Sequence, residues 1–142
     1  MTIDEGYIKF SYDWQEKPTP IEINLSEIIA ARKNLWQKGL IGVYPDGIGF
    51  GNVSIRTSNN QFLISATQIG HIELLQKEDF SLVTEYDFSK NWLRCIGSKK
   101  ASSESLTHAA IYECAASIEC VLHIHSKVYW QRLLGFLPST DK

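Results

Sequence analysis

The stretch Gly51-Asn52-Val53-Ser54-Ile55-Arg56-Thr57-Ser58-Asn59-Asn60-Gln61-Phe62-Leu63-Ile64-Ser65 decides the fold class. Residues 53–57 alternate like a strand, and 61–65 return as a second one. Ser58-Asn59-Asn60 supplies the tight turn between them. Upstream, Gly39, Gly42, Gly47, Gly49 and Gly51 surround the turn signal Pro45-Asp46-Gly47. Before that lies an amphipathic helix over 27–38. Ser26 is its expected cap, Ile28, Ile29, Leu35 and Trp36 its apolar positions, and Lys38-Gly39 its end. Earlier still, alternation from Tyr7 to Trp14 predicts a short strand or extended arm, closed by Pro18-Thr19-Pro20. Downstream, strands are expected over 78–87 and 92–96, followed by a polar loop over 99–103. A helix over 103–116 comes next, with Leu106, Ala109, Ala110, Cys114 and Ala115 as its buried face. A strand over 119–125 precedes a Ser126-capped helix to Leu134, and Pro138-Ser139-Thr140 ends the pattern. This order describes an α/β domain with a mixed or mainly antiparallel sheet.

Composition narrows the function. The chain has 142 residues, 44% hydrophobic and 21% charged, an ordinary globular balance. That length suits one domain able to bury a core without metals or disulfides. A net charge of −2 without a basic block argues against nucleic acid. The apolar runs are too short to span a bilayer, and the acidic start Met1-Thr2-Ile3-Asp4-Glu5 does not read as a secretory signal. Cys95, Cys114 and Cys120 are odd in number and form no CxxC pair. They are expected as buried thiols in a reducing, cytoplasmic setting.

Four segments can carry chemistry. His123-Ile124-His125 places two imidazoles on one face of a strand, where they either chelate a metal ion or form a hydrogen-bonded pair. Glu104 follows Ser102-Ser103 at a helix start, where it either complements the helix dipole or acts as an acid or base beside a metal. The hydroxyls and free N–H groups at that helix start favour an anion such as phosphate. Gly47-Ile48-Gly49-Phe50-Gly51-Asn52 can bring backbone N–H groups to an anion, yet it opens into a strand and matches neither dinucleotide nor Walker patterns. Ser65-Ala66-Thr67-Gln68-Ile69-Gly70 is a small-residue loop directly after a strand, also suited to phosphate. His71 is expected in a solvated loop. His108, four residues after Glu104, is expected as a structural hydrogen-bonding partner.

Together these segments resemble the class II aldolase/adducin family. Gly51-Asn52-Val53-Ser54-Ile55-Arg56 resembles its GN(V/L)S-R segment, and Leu63-Ile64-Ser65-Ala66-Thr67 through Gly70 its strand and phosphate loop. Ser102-Ser103-Glu104, with His108 and Tyr112 behind, resembles its SSE helix start, and His123-Ile124-His125-Ser126 its HTHS metal strand. The resemblance runs from about Leu25 to the end. It implies a three-layer α/β/α fold around a mixed, largely antiparallel sheet, with 1–24 as an N-terminal arm and 25–142 as an incomplete family domain. It implies a divalent metal, usually zinc, on His123 and His125, and Glu104 as the acid/base. Gly51, Asn52, Thr67, Gly70, Ser102 and Ser103 would line the phosphate or substrate pocket.

The implied activity is a lyase reaction on a phosphorylated ketose, a retro-aldol cleavage through an enediolate. Epimerase or dehydratase chemistry and a non-catalytic, adducin-like assembly module are the alternatives. Family members commonly form tetramers, so a homo-oligomer is expected. The third metal His of the family lies well beyond the HxH strand. Here 17 residues follow His125 and none is His. The chain therefore reads as a fragment of a longer member lacking the final sheet elements, as a natural short form whose metal is held by His123, His125 and Glu104, or as a metal-free binding module. The lyase activity is expected to be impaired by the shortening.

Overall fold

The computed structural model describes residues 9–136. In chain order the elements are β1 (Ser11–Glu16), α1 (Ser26–Gln37), β2 (Gly42–Val43), β3 (Gly49–Phe50), β4 (Asn52–Ser58), β5 (Gln61–Ser65), β6 (Phe80–Asp87), β7 (Trp92–Gly97), α2 (Ser105–Cys114), β8 (Cys120–His123) and α3 (Lys127–Leu133). The main sheet runs β1-β7-β6-β5-β4-β8, and β2 and β3 form a separate ribbon. β1 joins β7 in parallel, while the other pairs are antiparallel. The fold is α/β with a mixed, largely antiparallel sheet.

Alternation along the strands divides two cores. Phe62, Ile64, Val83 and Val121 face α2 with its Ala109 and Tyr112. Val53, Leu63, Leu82 and Ile41 face the side of α1 with its Ile28. Val53, Leu63, Val83 and Leu93 are fully buried. Each such side chain is worth roughly 1.5–3 kcal/mol of transfer free energy.

Several boundaries differ from expectation for identifiable reasons. The arm strand begins at Ser11, and Tyr7 and Ile8 lie outside the described residues, as do Pro138, Ser139 and Thr140. α1 starts at Ser26 with Leu25 at the cap position and no side-chain cap. Asn24 Oδ1 instead accepts the Ser26 N–H at 2.9 Å, so the expected cap is displaced by two residues. Gly39, at φ +71°, closes the helix as Lys38-Gly39 predicts. The strand expected from 78 begins at Phe80, because 77–79 form a 3-10 turn held by Asp79 Oδ2 and the Gln76 N–H. β8 ends at His123 rather than at 125.

α2 buries Ser105, His108, Ala109 and Tyr112, while Ala110, Cys114 and Ala115 are exposed. The buried face is rotated because the helix meets polar Asn52 and Ser54 of β4, and apolarity alone misplaces it. Cys95 is buried as expected, whereas Cys114 and Cys120 are exposed. Ser126 caps α3, its Oγ accepting the Tyr129 N–H.

Candidate functional site

Antiparallel pairing sets Asn52 of β4 opposite His123 of β8. Period two then puts Asn52 and Ser54 on the α2 side of the sheet, and Val121 and His123 with them. Around this sheet edge lies a cleft of about 490 Å³. It brings together all nine residues singled out by sequence: Gly51, Asn52, Thr67, Gly70, Ser102, Ser103, Glu104, His123 and His125. Among the described lining residues, Glu104 is the one carboxylate and Arg32 the one guanidinium.

The two imidazoles converge. His123 Nε2 and His125 Nε2 lie 3.1 Å apart, although His125 sits past the strand end. Its backbone N–H donates to Leu40 O at 2.9 Å, which fixes its position. Tyr44 Oη lies 2.8 Å from His125 Nδ1, and the Phe50 ring packs 5.4 Å from the imidazole. The contact with Tyr44 orients the imidazole so that its Nε2 faces His123. Two Zn–N bonds of about 2.0–2.1 Å at a near-tetrahedral angle put their nitrogens roughly 3.1–3.4 Å apart. The observed separation fits two ligands of one cation. Among the described residues, no third His, Cys, Asp or Glu joins them in a cluster. Glu104 therefore shares the cleft without completing the His₂-carboxylate set that the spacing allowed.

Glu104 stands at the cap position of α2, half-buried, its Oε2 accepting the Thr107 hydroxyl at 3.1 Å. Ser102 and Asn52 are buried beside it. Asn52 Nδ2 donates to Ser102 Oγ at 3.1 Å, and the Glu104 N–H donates to the same oxygen at 3.2 Å. Behind Asn52, its Oδ1 lies 2.5 Å from His108 Nε2. His108 Nδ1 is 2.7 Å from Ser54 Oγ, which is 2.7 Å from Tyr112 Oη. His108 thus has the structural role expected of it. Burial, reinforced by His123, lowers its pKa to about 3, so the ring is neutral.

The opposite wall is the loop from Thr67 to Gly70. The Thr67 N–H donates to Lys100 O at 2.9 Å, and Gln68 adopts φ +60°. Gly70 presses on the β2–β3 ribbon so closely that a Cβ would sit 2.3 Å from Gly42 O. Two side chains of α1 hold this loop. Trp36 Nε1 donates to Gly70 O at 2.9 Å. The buried Arg32 guanidinium donates to Ile69 O, Ile72 O and Glu73 O. Burial lowers its pKa to about 10, which leaves it cationic at neutral pH. His71 is exposed on the same loop, as expected.

Sequence reading missed Tyr44, Phe50 and Arg32. Tyr44 and His125 are 81 positions apart, and Arg32 meets carbonyls about 40 positions away. The usable signal was Arg32 itself, a cation at the edge of an apolar helical stripe.

The family model for the class II aldolase and adducin N-terminal domain matches residues 26–129. The chain belongs to that family. The matched span runs from the first turn of α1 into α3 and includes every residue of the cleft named above. A crystal structure of YgbL, a putative aldolase/epimerase/decarboxylase from Klebsiella pneumoniae, aligns with 71% of this chain at a TM-score of 0.54 and 23% sequence identity. That likeness concerns the fold, and the alignment spans 43% of the length of YgbL. No curated protein matches the chain. Among the described residues, no helix is long and apolar enough to cross a membrane.

Proposed function

We propose that the cleft binds a phosphorylated ketose and that Glu104 moves a proton in an aldol-type lyase reaction. The observation that carries this reading is the convergence of His123 Nε2 and His125 Nε2, 3.1 Å apart, in the same cleft as Glu104 and the buried start of α2. His123 and His125 would hold a divalent cation, zinc by the chemistry of the donors. Such a cation supplies stabilisation of negative charge developing on substrate oxygens. The chain's own groups do the remainder. Ser102, Ser103 and Thr67, with the backbone at Gly51 and Gly70, offer small donors that hold a phosphate and so fix the reacting carbons. Asn52 positions Ser102. Arg32 adds positive potential beneath the loop. The Glu104 carboxylate reaches the cleft from the helix start and takes or returns the proton.

Epimerase and dehydratase reactions use the same framework, and the assay includes their substrates. A homo-oligomer accompanies this reading. It is favoured by Tyr129, Trp130, Leu134 and Phe136 of the α3 region, which are 58%, 61%, 54% and 83% exposed.

Zinc titration by calorimetry tests the proposal. Wild-type protein is expected to bind about one equivalent at micromolar affinity or better, and His123→Ala to lose at least tenfold. With zinc bound, retro-aldol cleavage of ketose phosphates is expected to fall at least a hundredfold in Glu104→Gln while zinc affinity holds. Equal zinc binding by wild type and His123→Ala would defeat the metal assignment.

A further inference from the structure

We infer that Tyr112, Ser54, His108 and Asn52 form a directed hydrogen-bond relay that leaves the Ser102 hydroxyl hydrogen free for an anionic group in the cleft. His108 is then a positioning residue. The inference rests on the phosphate reading above and adds how the site's polarity is set.

Five side chains are linked in sequence by contacts of 2.5–3.1 Å, and each of the five is at most 7% exposed. Serine, tyrosine and neutral histidine can each donate or accept, so such a chain has two self-consistent directions. Its ends choose between them. At the inner end, the Tyr112 hydroxyl is buried and lies against Ser54 Oγ. The phenol must spend its own hydrogen, and Ser54 Oγ is the acceptor at 2.7 Å. Ser54 then donates to His108 Nδ1, His108 Nε2–H donates to Asn52 Oδ1, and Asn52 Nδ2 donates to Ser102 Oγ. At the outer end Ser102 Oγ accepts twice, from Asn52 and from the Glu104 N–H. Its hydrogen is what remains, on a residue that lines the cleft. The reverse direction strands the buried phenol hydrogen without an acceptor, at a cost that burial of a polar group makes large. It also turns the Ser102 hydrogen inward to Asn52 and presents only a lone pair to an anion.

The test reads the relay and the ligand separately. Long-range proton–nitrogen NMR correlation of His108 is expected to show the neutral tautomer protonated at Nε2. Tyr112→Phe removes the choice of direction, so part of the His108 signal moves to the Nδ1-protonated form. Inorganic phosphate is the binding probe, followed at the amides of 102–105. His108→Gln, whose amide still donates to Asn52, is expected to bind within threefold of wild type. His108→Leu is expected to bind at least tenfold more weakly while melting cooperatively. An Nδ1-protonated wild-type ring, an unchanged spectrum in Tyr112→Phe, or a folded His108→Leu that binds phosphate like wild type overturns the relay. Absence of phosphate binding in wild type overturns the phosphate reading itself, and the ring signal distinguishes that failure from the others.

Discussion

Gly70→Ala probes the join between the phosphate loop and the β2–β3 ribbon. A Cβ at residue 70 would lie 2.3 Å from Gly42 O, 3.0 Å from Val43 Cγ2 and 3.1 Å from Gly42 C. Two of those atoms are backbone, so no rotamer change relieves the clash. The loop must retreat from the ribbon by roughly 0.7 Å in an interior packed near crystal density. Overpacking of this kind costs about 1–3 kcal/mol. The retreat also stretches the Trp36 Nε1–H to Gly70 O bond, now 2.9 Å. A hydrogen bond of that kind is worth about 1 kcal/mol. Together the expected loss is about 2–4 kcal/mol, or a fall in Tm of roughly 6–14 °C for a chain of this length. Gly47→Ala is the control. Gly47 sits at φ +88° with nothing within 4 Å of a new Cβ. Only left-handed strain applies there, at about 1 kcal/mol. Urea unfolding of both variants decides the matter. A Gly70→Ala loss below about 0.5 kcal/mol, or a smaller loss than Gly47→Ala, would refute the packing argument. Inorganic phosphate affinity should also fall in Gly70→Ala, because the retreating loop widens the cleft.

Arg32→Met removes the guanidinium shared by Ile69 O, Ile72 O and Glu73 O. The stranded carbonyls should cost about 2–4 kcal/mol in urea unfolding, and a loss under 1 kcal/mol contradicts the clamp. The pH dependence of stability should carry the mark of His108. Its ring titrates near 6.5 when unfolded and is lowered to about 3 when folded, by burial first and His123 second. The unfolded chain binds the extra proton between these values. The contribution is therefore full above about pH 6.5 and declines as pH falls toward 3. From pH 7 to 5 wild type should lose about 2 kcal/mol more than His108→Gln, measured by denaturant melts at each pH. Parallel curves for the two proteins would show that His108 is protonated in the fold.

The hairpin of β4 and β5 was legible because period two and the Asn59-Asn60 turn are local signals. The end of α1 was legible because Gly39 is the residue a left-handed cap asks for. The buried face of α2 was not. A ranking by apolarity chose Ala110, Cys114 and Ala115, whereas the fold buries Ser105 and His108. Those polar groups go inside because β4 presents Asn52 and Ser54 to them, and that pairing spans more than 50 positions. The same distance hid Tyr44 behind His125. The nine candidate site residues were legible through short motifs, but their mutual placement depends on strand register that no motif contains.

Register is what couples the metal pair to the phosphate side. Side chains on a strand alternate, so a one-residue slip of β8 along β4 would turn His123 out of the cleft and bring Leu122 in. Leu122 is 45% exposed on the outer face, which by itself offers little resistance to such a slip. The resistance comes from Arg56. Its backbone N–H donates to Glu119 O at 2.8 Å, next to the start of β8. Its guanidinium donates to Ile118 O and Tyr112 O, each at 2.7 Å, and to Ala115 O at 3.1 Å. The guanidinium also stacks 4.7 Å from the Tyr112 ring centroid. One β4 side chain thus binds the end of α2 and the whole turn into β8. A slipped strand would have to break the charge-assisted bond to Ile118 O, worth roughly 1.5–3 kcal/mol, and the backbone bond to Glu119 O. Arg56 touches neither the imidazoles nor the phosphate loop, yet it fixes which face of β8 the cleft receives. The arginine in the opening hairpin is therefore as much a determinant of the site as the histidines it sets in place.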